Sequence, residues 1–340
     1  HNVFLGDMYR GHTAFLICSG PSLVDHDLSK LRSRGIVTLS VNNAATVVPT
    51  NLWVSVDNPG NFADVIWRDP AIMKFVPLCH MEKPLQVRDG EGYLVASQEL
   101  VGDMPAVFGF RRNENFVAAQ WLYEDTFNWG NKGDKLDDLG NKGSRSVFYV
   151  ALRVLFYLGI RRVFLVGCDF RMEVGKQNYA FQQDRSAGSV RGNNNSYRIL
   201  NSRLEQLRPF FERERFEVFN CTPNSGLTVF PHVDFAAAIE QATSHLPSEV
   251  ITEGMYDRKH ARPEQAPSNE SKLATQPAAA APPSLPSPPR NSLNVDRLNG
   301  AAAMSSPARD SRVAKKSGKA PTPIELTIVT VVDESSWPSW

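Results

Sequence analysis

Five short stretches of this sequence carry residue types that bind anions, read polar ligands or move protons. The first is Cys18-Ser-Gly-Pro-Ser-Leu23, directly after an apolar run. Gly20 lets the backbone turn tightly and approach a ligand. Pro21 suits a first helical turn, where a missing N–H loses nothing. Ser19, Ser22 and the N–H groups of a helix start then face an anion; a purely structural turn is the competing reading. In Ser40-Val-Asn-Asn-Ala44 the amides of Asn42 and Asn43 suit a base, ribose or phosphate, or an Asx turn or cap. Asp57 in Ser55-Val-Asp-Asn-Pro59 suits a metal or a ribose hydroxyl, or again a cap. In Asn141-Lys-Gly-Ser-Arg-Ser-Val147, Lys142, Ser144, Arg145 and Ser146 group donors at a helix start. That is a second place for phosphate or a carboxylate, although Arg145 also reads as a solvated loop charge. Last comes Gly167-Cys-Asp-Phe170, followed by Tyr179-Ala-Phe181. For Asp169, metal ligand, general base and turn cap all stay open. Tyr179 either donates a proton to a leaving phosphate or packs beside Phe181.

These stretches gain meaning from the elements that must hold them. Apolar runs at 14–18, 36–41, 52–56, 162–166 and 216–220 read as strands, with 72–78 and 106–108 as further candidates. Between them, 22–34 reads as a helix with Ser22 or Asp25 at its N-cap. A strongly apolar helix spans 146–158, closed by Gly159, and 195–214 reads as an amphipathic helix. Strands alternating with helices predict an α/β, Rossmann-like fold with a mostly parallel sheet and helices on both faces. In such sheets ligands bind at the carboxyl ends of the strands, where most of the stretches above fall.

Composition bounds the rest. With 340 residues, 42% hydrophobic and 21% charged, the chain can bury a sizeable core. A net charge of +1 gives no sign of general nucleic-acid or membrane affinity. No apolar run approaches the ~18 residues of a membrane span, and residues 1–9 lack a signal-peptide plan. Cys18, Cys79, Cys168 and Cys221 form no CxxC pair and read as small buried hydrophobes in a reducing cytoplasm. His12, His26, His80, His232 and His245 read as surface or packing residues, Arg111-Arg112 as solvated, and Asn193-Asn-Asn195 as a loop and helix cap. GxxxxGK[ST], HExxH and a GxGxxG after the first strand do not occur.

The text changes at about residue 250. Residues 1–250 read as the Rossmann-like nucleotide-binding domain. Residues 251–323, rich in Pro, Ala and Ser, read as a disordered linker. Residues 324–340 read as the first strand of a following, truncated domain. The run Leu326-Thr-Ile-Val-Thr-Val-Val332 resembles the first strand of a family 2 glycosyltransferase, so a second transferase domain is an expected partner in the longer chain.

Taken together, Tyr9-Arg-Gly-His-Thr-Ala-Phe-Leu-Ile-Cys-Ser-Gly-Pro-Ser-Leu23, the Gly159-Ile-Arg-Arg-Val-Phe-Leu-Val-Gly-Cys-Asp-Phe170 stretch, Tyr179-Ala-Phe181 and Cys221-Thr-Pro-Asn-Ser225 form an ordered set. It resembles the opening and motif order of MptE-like domains (domain of unknown function 115) and of the family 42 bacterial sialyltransferases. The sialyltransferase resemblance implies a nucleotide-activated sugar passed to a saccharide or protein acceptor, with no cofactor. Ser19, Gly20, Ser22 and Asn42 would hold the nucleotide, with Ser144 or Ser146 contacting the donor. Tyr179 would match one of two tyrosines that assist phosphate departure. The other falls at or beside Arg171, and the family's His falls near Asn193–Asn195. The MptE-like resemblance implies a pyrophosphokinase that uses ATP, a hydroxymethylpterin and Mg²⁺, with Asp57 and Asp169 as metal candidates. A non-catalytic nucleotide- or glycan-binding module is the third expectation.

Overall fold

The computed structural model describes residues 2–113, 115–129, 146–247, 249, 252–253 and 328–329. The expected linker therefore lies outside the described residues, apart from 252–253. In chain order the strands of three or more residues are β1 (Thr13–Ile17), β2 (Ile36–Val41), β3 (Leu52–Val54), β4 (Met73–Pro77), β5 (Pro84–Arg88), β6 (Leu94–Leu100), β7 (Val107–Phe110), β8 (Arg162–Val166) and β9 (Glu217–Asn220). The helices are α1 (Asp64–Arg68), α2 (Leu78–Met81), α3 (Val147–Tyr157), α4 (Ala187–Arg213) and α5 (Phe235–Thr243).

Strands β5 and β6 form a separate antiparallel hairpin. The other seven make one parallel sheet in the order β7-β4-β3-β2-β1-β8-β9, the α/β, Rossmann-like arrangement expected from the alternation of strands and helices. Beyond β7, Ile328–Val329 pairs antiparallel with β7 and with Asn2–Val3. Among the described residues no helix is long and apolar enough to cross a membrane.

A sheet covered on both faces needs apolar residues at every strand position. In β1, Ala14 and Leu16 enter one core and Phe15 and Ile17 the other, and β8 repeats this with Val163 and Leu165 against Phe164 and Val166. All are fully buried, and each large side chain contributes about 2 kcal/mol of transfer free energy. Helices α3 and α4 cover the first face and α5 the second. A third cluster, with Trp53, Trp67 and Phe62, packs beside β3. Gly159 ends α3 as expected: at φ +91 it lets Ile160 N donate to Leu155 O and its own N to Phe156 O.

Two helix expectations need correction. Residues 22–34 form two short 3₁₀ turns, Pro21–Asp25 and Leu28–Arg32. Asp27 causes the break, because its Oδ1 accepts from Ser29 N at 3.2 Å and from the Ser29 hydroxyl, starting a new turn. Neither Ser22 nor Asp25 is the cap; the first turn follows Gly20 with no side-chain cap. Helix α4 begins at Ala187, with Ser186 as N-cap, so Asn193–Asn195 lie inside it. A tertiary contact explains this: Asn194 accepts from Met172 N at 2.8 Å and donates to Met172 O at 2.9 Å.

Candidate functional site

From β1 the chain steps outward through β2, β3 and β4 to β7, then returns to place β8 on the other side of β1. The strand order therefore reverses between β1 and β8, and the carboxyl ends of these strands define the expected ligand crevice.

The turn after β1 is built against β8. Cys18 N donates to Val166 O and Gly20 N to Gly167 O, both at 2.8 Å. Gly20 has an ordinary φ of −68, so its necessity is spatial. A Cβ there would fall 1.9 Å from Asp169 Oδ2 and 2.6 Å from Gly167 O. The same Asp169 Oδ2 accepts from Ser22 Oγ at 2.7 Å and Ser22 N at 3.4 Å. Burial raises the pKa of Asp169, and the Ser22 hydrogen bonds oppose that rise. Of the three roles open to Asp169, its contacts occupy that of turn cap. Ser22, expected as an anion ligand, is turned onto this carboxylate, and Pro21 opens the short turn that contains Ser22.

The Cys221–Ser225 motif latches this corner. Thr222 Oγ1 accepts from Cys168 N at 2.8 Å, Ser225 donates its hydroxyl hydrogen to Cys168 O, and Gly226 N donates to Asp169 O at 2.7 Å.

Other residues predicted from the sequence meet in one cleft of about 440 Å³ beyond the ends of β1, β2 and β3. Ser19, Asn42, Asn43, Asp57 and Tyr179 all line it. Asn42 sits in the left-handed region at φ +51 and its main-chain oxygen accepts from Trp53 Nε1 at 2.7 Å. Its Oδ1 is buried with no hydrogen-bond partner, an orphan that a ligand donor would satisfy. Asn43 is committed structurally: it donates to Asn61 O and accepts from Ala63 N. The 179–181 segment docks on the turn, with Ala180 N donating to Ser19 O at 2.9 Å. Tyr179 stacks on Phe181 with centroids 5.4 Å apart, and its hydroxyl accepts from Arg185 Nε at 3.0 Å.

Several predicted residues lie elsewhere. Asp169 and the exposed Arg171 are not among the residues lining the cleft. Ser146 is the N-cap of α3, accepting from Phe148 N at 3.1 Å, and does not line it either. Lys142, Ser144 and Arg145 lie outside the described residues. Arg112 was expected in solvent; instead its guanidinium stacks 3.8 Å from the Trp129 ring centroid and donates to Val56 O. His26 stacks on Phe235 and His80 is buried, and among the described residues no histidine lines the cleft. Among the described residues no three His, Cys, Asp or Glu side chains converge on one point. A metal held jointly by Asp57 and Asp169 does not fit, because Asp57 lines the cleft and Asp169 does not.

Sequence reasoning missed Arg88, Leu94 and Arg185 in the lining. The first two arrive on the β5–β6 hairpin. A separate cavity of about 720 Å³ runs along β9 and the end of α4, among Phe211, Phe216 and Val218, and contains none of the chosen residues.

The sheet order and the cleft at its strand ends define the class: a Rossmann-like α/β domain with its crevice beside the first strand. No family model matches the chain, and no curated protein matches it. Two solved structures overlap it. The MAf glycosyltransferase from Magnetospirillum magneticum AMB-1 is 15% identical with a TM-score of 0.35, over 66% of this chain and 34% of that one. The chain thus spans about a third of that protein's length. The sialyltransferase CST-II, solved with a trisaccharide acceptor and CMP, is 15% identical with a TM-score of 0.32, over 65% of this chain and 85% of that one. The parallel sheet itself, not these overlaps, defines the fold.

Proposed function

We propose that the chain is a glycosyltransferase-like enzyme that binds a nucleotide-activated sugar in the cleft beyond β1, β2 and β3 and passes the sugar to a saccharide or protein acceptor. The observation that carries this reading is the convergence of Ser19, Asn42, Asn43, Asp57 and Tyr179, from four separate segments, on one 440 Å³ cavity. The resemblance of the Gly20, Asp169 and Tyr179 motifs to the sialyltransferase order supports it. In this scheme Ser19 and Asn42 hold the nucleotide. The bond between the anomeric carbon and the phosphate oxygen breaks, and the acceptor oxygen takes the carbon. Tyr179, with Arg185 beside its hydroxyl, stabilises the negative charge of the departing nucleotide. The proton of the acceptor hydroxyl passes to a base, and Asp57 is the carboxylate in the lining.

Thermal-shift and calorimetric titration with CMP, UDP, GDP, ATP plus Mg²⁺, and a pterin rank the ligands. Binding of a sugar nucleotide with turnover is expected. Asn42→Ala should weaken binding about tenfold, as loss of one buried hydrogen bond does. Tyr179→Phe should retain binding and slow turnover about a hundredfold. Stabilisation by ATP with Mg²⁺ alone would refute this reading in favour of a pyrophosphokinase. Binding with neither hydrolysis nor transfer would refute it in favour of a non-catalytic module.

A further inference from the structure

A second cavity, of about 550 Å³, adjoins the first; both are lined by Asn43, Phe62, Arg88, Leu94 and Phe181. Arg88 thus stands where the two meet, whereas Arg185 lines only the first. Among the described residues each guanidinium is held by a single partner residue. Arg185 donates from Nε to Tyr179, and Arg88 donates from Nη1 to Gly92 O at 2.7 Å across the hairpin turn. Their remaining N–H groups are available. Among the described residues neither arginine is in an ion pair. In the second cavity the carboxylate of Asp64 is already matched by Arg68 at 2.9 Å, and Thr46 and Gln86 add neutral hydrogen-bonding groups. That lining suits a polyhydroxylated group.

Two guanidinium groups in succession, one beside the turn and one at the entrance to a polar chamber, match two successive anions better than one. On the reading of the cleft as a donor site, we infer that the donor is a nucleoside diphosphate sugar. Its two phosphates lie along Arg185 and Arg88, the nucleoside lies toward Asn42 and the sugar lies toward Thr46 and Gln86.

The test is calorimetry on the whole chain in EDTA, using matched pairs: CMP and CDP, UMP and UDP, GMP and GDP, AMP and ADP. For at least one base the diphosphate should bind roughly tenfold or more tightly than the monophosphate. Arg88→Gln and Arg185→Gln should each shrink that ratio, and Arg88→Lys should retain part of it. Melting temperatures close to wild type would establish that the variants fold. A ratio near one in the wild type, a ratio unchanged in both glutamine variants, or a preference that appears only with Mg²⁺ would each overturn the inference while leaving the donor-site reading intact. Absence of binding by every nucleotide would overturn the donor-site reading, and the inference with it.

Discussion

At the end of β1, Gly20, Ser22 and Asp169 share one small volume, and their chemistry is reciprocal. Asp169 supplies the acceptor that Ser22 N and Oγ need, and Gly20 leaves the room Asp169 needs. A turn that reads as an anion site is thus stabilised by an anion of its own chain. A substitution at Gly20 consequently tests the fold before it tests a ligand. Gly20→Ala should destabilise the protein by about 1–3 kcal/mol, the range for overpacking a tight site. Part of that loss should vanish in an Asp169→Ala background, because the closer clash is with that carboxylate. A double-mutant cycle by urea denaturation should give a coupling of at least about 0.5 kcal/mol; additive losses would show that Asp169 is not the constraint. Asn42 behaves differently. Its left-handed backbone and orphaned Oδ1 are strain and desolvation that no neighbour relieves, which makes it the better reporter of ligand binding.

Elements that carry their own periodicity were legible in the sequence. Strands β1, β2 and β8 emerge within a residue of their apolar runs, because burial on both faces demands continuous hydrophobicity. The 22–34 helix was misread because the side chain of Asp27 competes with the helical ladder, and the start of α4 because Asn194 is held by Met172 from outside the helix. Lys74 is a further case, a cation inside an otherwise apolar strand. Its ammonium donates to Asp69 O at 2.6 Å, Ile72 O at 2.9 Å and Pro105 O at 2.8 Å. It thereby ties the loop entering β4 to the loop entering β7. Burial lowers its pKa to about 8, while three carbonyls match the three hydrogens of the charged form. Lys74→Met should leave these oxygens unsatisfied and destabilise by about 3 kcal/mol, measured as a lower urea midpoint with an unchanged slope. An unaltered midpoint would mean that water replaces the ammonium.

For the molecule as a whole, the alternation of elements predicts the parallel sheet, and strand ends predict where a crevice opens. The convergence of Ser19, Asn42, Asn43 and Asp57 was legible on that basis, and that of Tyr179 from the order of motifs. Arg88 and Arg185 were not, because a hairpin and an irregular loop bring them in and neither follows a strand of the sheet. The pairing of Asp169 with Ser22 was equally hidden, since only the packed switch point brings the two together. Burial of isolated titratable groups was also invisible in the sequence, and it sets how the whole fold responds to acid. His80 is 6% exposed, and burial, with Lys83 and Arg112 adding to the effect, pushes its pKa down to about 4. In the unfolded chain it takes up a proton near 6.5. Between these values the unfolded state holds more protons than the native state, so stability falls as pH drops from 6.5 to 4. The loss attributable to His80 reaches about 3 kcal/mol. Urea denaturation of the wild type and His80→Gln between pH 7 and pH 4 checks this. The variant should lose stability less steeply over that window, and parallel curves would show that His80 is not the group responsible.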